Sequence, residues 1–219
     1  MPVPAHTGSV AGYAHGRVPR AVRERQVLDV AEELFAERGY RGASMDELAR
    51  RAGVTKPVIY ALAGSKEELH RRCVTRAADE LAERVTEAVA PHTAPEARLR
   101  AGSLAFFSFV ADRARSWPVL FGEGIPAGSA AELERTRRRQ NDLVAALMAE
   151  AAAELGGAPD PHMLGALAEA INGACERLAR WGGGHPEVSA ETLADWIVAL
   201  VLPGLQRLAG ETPAQASGR

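Results

Sequence analysis

Apolar residues recur at three- and four-residue intervals along most of this chain, the spacing of one face of an α-helix. Val27, Leu28, Ala31, Leu34 and Phe35 form a first stripe, which predicts an amphipathic helix ending at Gly39. Met45, Leu48 and Ala49 form a short second stripe, and Val58, Ile59 and Leu62 a third. Val74, Ala77, Ala78, Leu81, Val85, Ala88 and Val89 keep the period until Pro91. Further helices are expected over about 96–115, with Leu99, Leu104, Phe106, Phe107 and Phe109, and over about 130–155, with Leu133, Leu143, Val144, Leu147 and Met148. Between them, 117–129 holds two prolines and three glycines, so a broken turn is expected there, with a short helix around Val119-Leu120-Phe121. Asp160-Pro161 is a cap followed by a first-turn proline, opening a helix with Met163, Leu164, Leu167, Ile171, Cys175 and Leu178 that stops at Gly182-Gly183-Gly184. A last helix over about 190–208 carries Leu193, Trp196, Ile197, Leu200 and Val201, with Pro203 expected to kink it. No strand-like alternation and no internal repeat interrupts this pattern, so the predicted class is all-α.

The three short stripes at the start belong together. Ser44 with Glu47 is a capping-box pair, and Ser65 with Glu68 is a second. Gly53 stands where the helix of Met45, Leu48 and Ala49 must stop in a left-handed conformation. Val54 can plug the corner, Thr55 can cap the next helix, and Pro57 is tolerated in its first turn. The result is helix-turn-helix spacing, with a second helix short and polar enough for a DNA major groove. Leu28, Ala31, Leu34, Phe35, Met45, Leu48, Val58, Ile59 and Leu62 are the expected core of this unit.

Charge sharpens the picture once it is divided. The whole chain of 219 residues carries a formal −2, but residues 1–73 carry +3 and the remainder −5. The basic excess lies with the helix-turn-helix and is small, so affinity for DNA would rest on placed phosphate contacts and on dimerisation. No apolar run approaches the roughly 20 residues that span a bilayer, and the first ten residues hold no signal-peptide core. Cys73 and Cys175, far apart and without CxxC spacing, suggest a reducing cytoplasm. Residues 1–18 and 210–219 are rich in Pro, Gly, Ser and Ala and are expected to be disordered.

The run Arg25 to Leu69 resembles the DNA-binding domain of the TetR family of transcriptional repressors. The resemblance rests on Leu34-Phe35 before Gly39-Tyr40, Ser44-Met45, Leu48-Ala49, Ala52-Gly53-Val54-Thr55, Ile59-Tyr60 and Ser65-Lys66-Glu67-Glu68-Leu69. The family usually places aromatic residues after the recognition-helix tyrosine, whereas this chain reads Ala61-Leu62-Ala63, leaving that corner less filled. The expected organisation is a helix-turn-helix domain over 19–70 and a helical ligand-binding and dimerisation domain over 71–209. The resemblance implies a repressor that binds a palindromic double-stranded operator as a homodimer, pairing through helices 161–181 and 190–208, and that a small-molecule effector releases. No cofactor, metal or membrane is implied.

Thr55, Lys56 and Tyr60 are expected to project from the recognition helix opposite Val58, Ile59 and Leu62, with Thr55 and Lys56 toward base edges and the Tyr60 hydroxyl toward a phosphate. Lys66 at the next helix N-terminus, and Ser44 at the second, are phosphate candidates; Arg17, Arg20 and Arg23 are candidates for a basic arm. The DNA-binding set is thus Ser44, Thr55, Lys56, Pro57, Tyr60, Lys66 and Arg20. The run Arg135 to Arg139 reads as a solvated charged face. Candidate ligand-lining residues are Phe106, Phe107, Trp117, Phe121, Met148, Asn172, Cys175 and Glu176, with Trp117 expected to turn inward toward Phe107 and Phe121. Asn172 and Glu176, one turn apart, would bond a ligand or satisfy each other and the solvent.

Two rival functions stand beside this. Glu67 and His70 have Glu-x-x-His spacing, but a di-metal carboxylate enzyme needs two such motifs and two more carboxylates. A ligand-independent DNA-binding protein would not need the long helical second half.

Overall fold

In the computed structural model the described residues are 18–121, 127–154 and 157–210. The two ends expected to be disordered lie outside them, apart from Val18 and Gly210. The described residues form helices α1 (Arg20–Gly42), α2 (Met45–Arg51), α3 (Lys56–Ala63), α4 (Lys66–Val89), α5 (Pro95–Asp112), α6 (Trp117–Phe121), α7 (Ala127–Glu154), α8 (Pro161–Gly182) and α9 (Ala190–Gly210), and no strand. Positive φ at Gly39 (68°) interrupts α1 where the stripe stops, and Gly53 (65°) makes the turn between α2 and α3, a conformation that a side chain would strain.

Side-chain caps start the short helices. Ser44 Oγ accepts from the Glu47 amide at 3.2 Å, and Ser65 Oγ from the Glu68 amide at 3.0 Å. The reciprocal half of each expected capping box is missing. Glu47 accepts from Arg50 and Arg51 instead, and Glu68 from Arg71, because a guanidinium outbids a neutral amide for a carboxylate.

The chain divides into two compact units, and the division falls inside α4 and α7. The first contains the described residues through Ala77 together with 115–133, so the α6 segment folds with the helix-turn-helix rather than beyond a break at residue 70. Its core joins Val27, Ala31, Leu34 and Phe35 of α1 to Met45 and Leu48 of α2, Ile59 and Ala63 of α3, and Leu69 and Val74 of α4. Val58 departs from expectation: it is 40% exposed. On α3 the inward line is Ile59 and Ala63, four residues apart, and Val58 stands about 100° from it. Leu28 and Leu62 are half-buried. His70 is fully buried between the rings of Phe35 and Tyr40, and its Nε2–H donates to the Val119 carbonyl of α6 at 3.0 Å. Burial holds its pKa below the usual histidine value.

The second unit, 78–114 with the described residues beyond 133, is built on α5, α8 and α9. Phe107, Ile171, Cys175, Ala179, Leu193, Ala194 and Ile197 form its core, with Phe106 and Met148 packed against it.

Candidate nucleic-acid interface

The recognition helix α3 turns a polar edge outward. Thr55 occupies its N-cap position, but the hydroxyl makes no capping bond. Lys56 and Pro57 follow, both exposed, and Tyr60 one turn on is 46% exposed. Lys56 Nζ lies 2.7 Å from Asp46 of α2, a hydrogen bond that holds the ammonium charged and props it beside the turn. Val58, expected inward from the apolar stripe, adds an apolar side chain to the same exposed surface. Its signal was present: Ile59 and Ala63 complete an inward line without it.

Lys66 does something other than meet a phosphate. Its ammonium donates inward to the carbonyls of Tyr40 and Ala43, each at 2.9 Å, and lies over the Tyr40 ring. It thereby closes the end of α1 against the start of α4, satisfying carbonyls that the helix leaves unpaired. Ser44 spends its acceptor on the α2 cap. Arg20 pairs with Glu24 at 2.8 Å on the exposed face of α1, and Arg23 donates to Gln26. Arg17 lies outside the described residues. Gln26 in turn donates to the Ala52 carbonyl at 3.3 Å, and Arg51 bridges Glu37 and Glu47. These bonds fix the turn before Gly53, and the two arginines hold the Glu47 carboxyl down at about 2.

Of the expected ligand-lining set, Phe106, Phe107, Met148 and Cys175 meet in the core cluster of the second unit. Phe107 and Cys175 are core, and burial pushes the Cys175 thiol up to about 12. Asn172 donates to Asn141, and Glu176 accepts from Arg137 at 3.4 Å. So α7 supplies partners, one turn apart, for the two polar groups that sequence spacing had left open. Within Arg135 to Arg139, Arg138 pairs with Glu134 and Arg139 with Asp79. Trp117 is half-buried at the start of α6, in the first unit, while Phe107 belongs to the second. The Phe121 side chain lies outside the described residues. A groove of about 420 Å³ between α4 and α7 of the second unit is lined by none of those residues. His70 carries its hydrogen bond to Val119, and among the described residues no three His, Cys, Asp or Glu side chains gather as a metal site requires. No helix of the described residues is long and apolar enough to cross a membrane.

The helix-turn-helix segment matches the description of bacterial regulatory proteins of the tetR family over residues 27–73, and residues 95–204 match the tetracyclin repressor-like C-terminal domain. The chain belongs to the TetR family. A TetR-like transcriptional regulator from Rhodococcus sp. RHA1 is 32% identical, covering 87% of this chain and 99% of that one, with a TM-score of 0.69. The fatty acid degradation regulator FadR from Bacillus halodurans shares the fold at 18% identity, with a TM-score of 0.72 over 84% of this chain and 96% of that one. The transcriptional activator FasR from Mycolicibacterium smegmatis is 42% identical over 105 residues, 48% of each chain, so the match spans about half of that relative's length. In this family the arrangement of α2, Gly53 and α3 is the DNA-reading part of a transcriptional regulator.

Proposed function

We propose that this regulator binds a palindromic operator as a homodimer, represses by occupying it, and is released by a small-molecule effector. The observation that carries the DNA-reading half is α3, which offers Thr55, Lys56, Val58 and Tyr60 outward while Ile59 and Ala63 anchor it. Lys56 and Thr55 are suited to base edges, Val58 to a thymine methyl, and Tyr60 to a phosphate. One eight-residue helix binds weakly, and two helices about one DNA turn apart supply the remainder.

Support for the homodimer comes from α8 and α9. Trp181, Trp196 and Leu200 are exposed there, Leu200 at 69%, with the two indoles 6.0 Å apart. Large apolar side chains grouped on one face mark a surface that a second copy would cover. The tool for the DNA half is selection of random duplexes on the purified protein. Enrichment of an inverted repeat with half-sites about one helical turn apart is the expected result. No enrichment over the starting pool at moderate salt would refute DNA reading, and an asymmetric site would refute the two-fold dimer.

A second reading concerns sign only. The FasR relative is named as an activator. The same operator contacts activate when the site lies upstream of a promoter rather than across it. A reporter with the selected site in both positions separates the two.

A further inference from the structure

We propose that Arg72 of α4 is a positioning residue for DNA reading: it clamps the C-terminal end of the recognition helix α3 to α1 and so sets the angle at which Thr55 and Lys56 meet base edges. It rests on the DNA-reading half of the function proposed above, and the two fail separately when wild type and variants are compared.

Apolar packing holds α3 at few points. Of its eight residues, Ile59 and Ala63 are buried. After Tyr60 the helix ends on Ala61, Leu62 and Ala63, with Leu62 half-buried and no aromatic ring. One large buried side chain fixes a point on a short helix but leaves the helix free to tilt about that point. Polar bonds at the two ends therefore decide the angle. Leu62 and Lys56 stand three residues to either side of Ile59. In a rigid helix a displacement at Leu62 is returned at Lys56 in the opposite direction. A bidentate base contact does not survive such a shift, whereas a contact to a phosphate charge tolerates it.

The two ends differ in strength. At the start of α3 the Thr55 hydroxyl makes no capping bond, and Lys56 pairs with Asp46. Those two side chains are 56% and 68% exposed, so solvent competes and the pair restrains little. At the other end the Gly64 amide donates to the Tyr60 carbonyl at 2.9 Å, and α3 has no basic residue in its last turn. The charge comes from α4 instead. Arg72 Nη1 donates to the Leu62 carbonyl at 2.6 Å, and Nη2 lies 3.7 Å from the Glu24 carboxylate of α1. These side chains are only 28% and 27% exposed. A guanidinium here meets the negative end of the helix dipole and satisfies a carbonyl that the helix leaves unpaired. Its planar fork lets one side chain bond α3 and the α1 carboxylate together. Glu24 is itself steadied by Arg20 at 2.8 Å.

Fluorescence anisotropy on the full chain tests this, with two probes: the duplex that selection enriches and a random-sequence duplex of the same length. Arg72→Met keeps the stem and removes every donor. It should lower the ratio of enriched to random affinity about tenfold, the worth of one bidentate base contact. Random-duplex affinity and its salt dependence should stay as in the wild type. Arg72→Lys, with a donor for the Leu62 carbonyl, should recover most of the ratio. In a Lys56→Ala background the effect of Arg72→Met should shrink, because the contact it positions is gone. Circular dichroism and melting report whether Arg72→Met is folded. If it is not, Glu24→Gln, which leaves the Leu62 bond in place, carries the test with a smaller loss of the same sign. An equal weakening on both duplexes would make Arg72 merely structural, and a random-duplex salt slope lowered by about one would make it a phosphate contact; either overturns the proposal. A wild type that discriminates beside an equally discriminating Arg72→Met refutes the clamp alone, whereas a wild type that enriches no sequence overturns the DNA reading and the clamp with it.

Discussion

The two units present opposite surfaces to their surroundings. On α3 the exposed edge is Thr55, Lys56, Pro57 and Tyr60 with one valine, and Lys56 is steadied by Asp46. On α8 and α9 it is Trp181, Trp196 and Leu200, with the His185 ring stacked 3.7 Å from the Trp181 ring. α3 and α9 each bury an equally ordinary aliphatic line, Ile59 and Ala63 in the first and Leu193 and Ile197 in the second. Amphipathic spacing is therefore common to both, and the difference lies in what the second face is. A polar face suits a polyanion that keeps its hydration, and an apolar face suits a partner that excludes water.

The sharpest way to break this contrast is to destroy one unit and ask whether the other persists. Phe35→Ala, at a ring 2% exposed, should cost about 3–5 kcal/mol in the first unit. Denaturant unfolding followed by far-ultraviolet circular dichroism should show a new early transition, with DNA binding lost and dimer mass retained by light scattering. Loss of the dimer together with the head would mean that the units do not part so cleanly.

Leu200→Arg should do the reverse. The side chain is exposed in the single chain, so folding should be spared, whereas an unpaired charge in the covered face should weaken association by at least about 3 kcal/mol, or 100-fold. A dimer that survives at micromolar concentration would move the interface off this part of α9.

Lys66→Ala tests whether that lysine is structural. Removing charge-assisted bonds to the Tyr40 and Ala43 carbonyls should lower the stability of the free protein by about 1.5–3 kcal/mol. Unchanged stability with weakened DNA binding would return Lys66 to the phosphate role. For α3 itself, Lys56→Ala should shift which bases a selection prefers, by about 1–3 kcal/mol, while Tyr60→Phe should weaken all sequences alike.

The smallest effect is on pH. His70 has a folded pKa lowered from 6.5 by burial, so its contribution is fully present above 6.5 and is lost as pH falls through the folded value. Glu47, held at about 2 by Arg50 and Arg51, acts in the same direction lower down, between its ordinary 4.5 and 2. The first unit should therefore weaken on acidification in two stages. His70→Gln, which keeps a donor for the Val119 carbonyl, should flatten the upper one; a melting profile of that variant with the same slope would assign the upper stage to another group.

Much of this protein was legible in one dimension. Helical periodicity placed the helices, because side chains three and four residues apart share a face whatever the helix later packs against. Gly39 and Gly53 marked ends where φ turns positive, and Ser44, Ser65 and Asp160 marked starts through local bonds to amides two or three residues on. The helix-turn-helix, with Thr55, Lys56 and Tyr60 on its outer edge, is of this local kind. Tertiary structure alone decided where long side chains spend their charge. Lys66 reaches carbonyls 23 and 26 residues upstream, and Asn172 and Glu176 meet Asn141 and Arg137 on α7 instead of each other. It also decided that α6 folds with the first unit, that Val58 faces out, and that a groove opens between α4 and α7 with none of the expected aromatic residues in its lining. Periodicity defines a face but not its neighbour, and hydrogen bonds, ion pairs and cavities all belong to the neighbour.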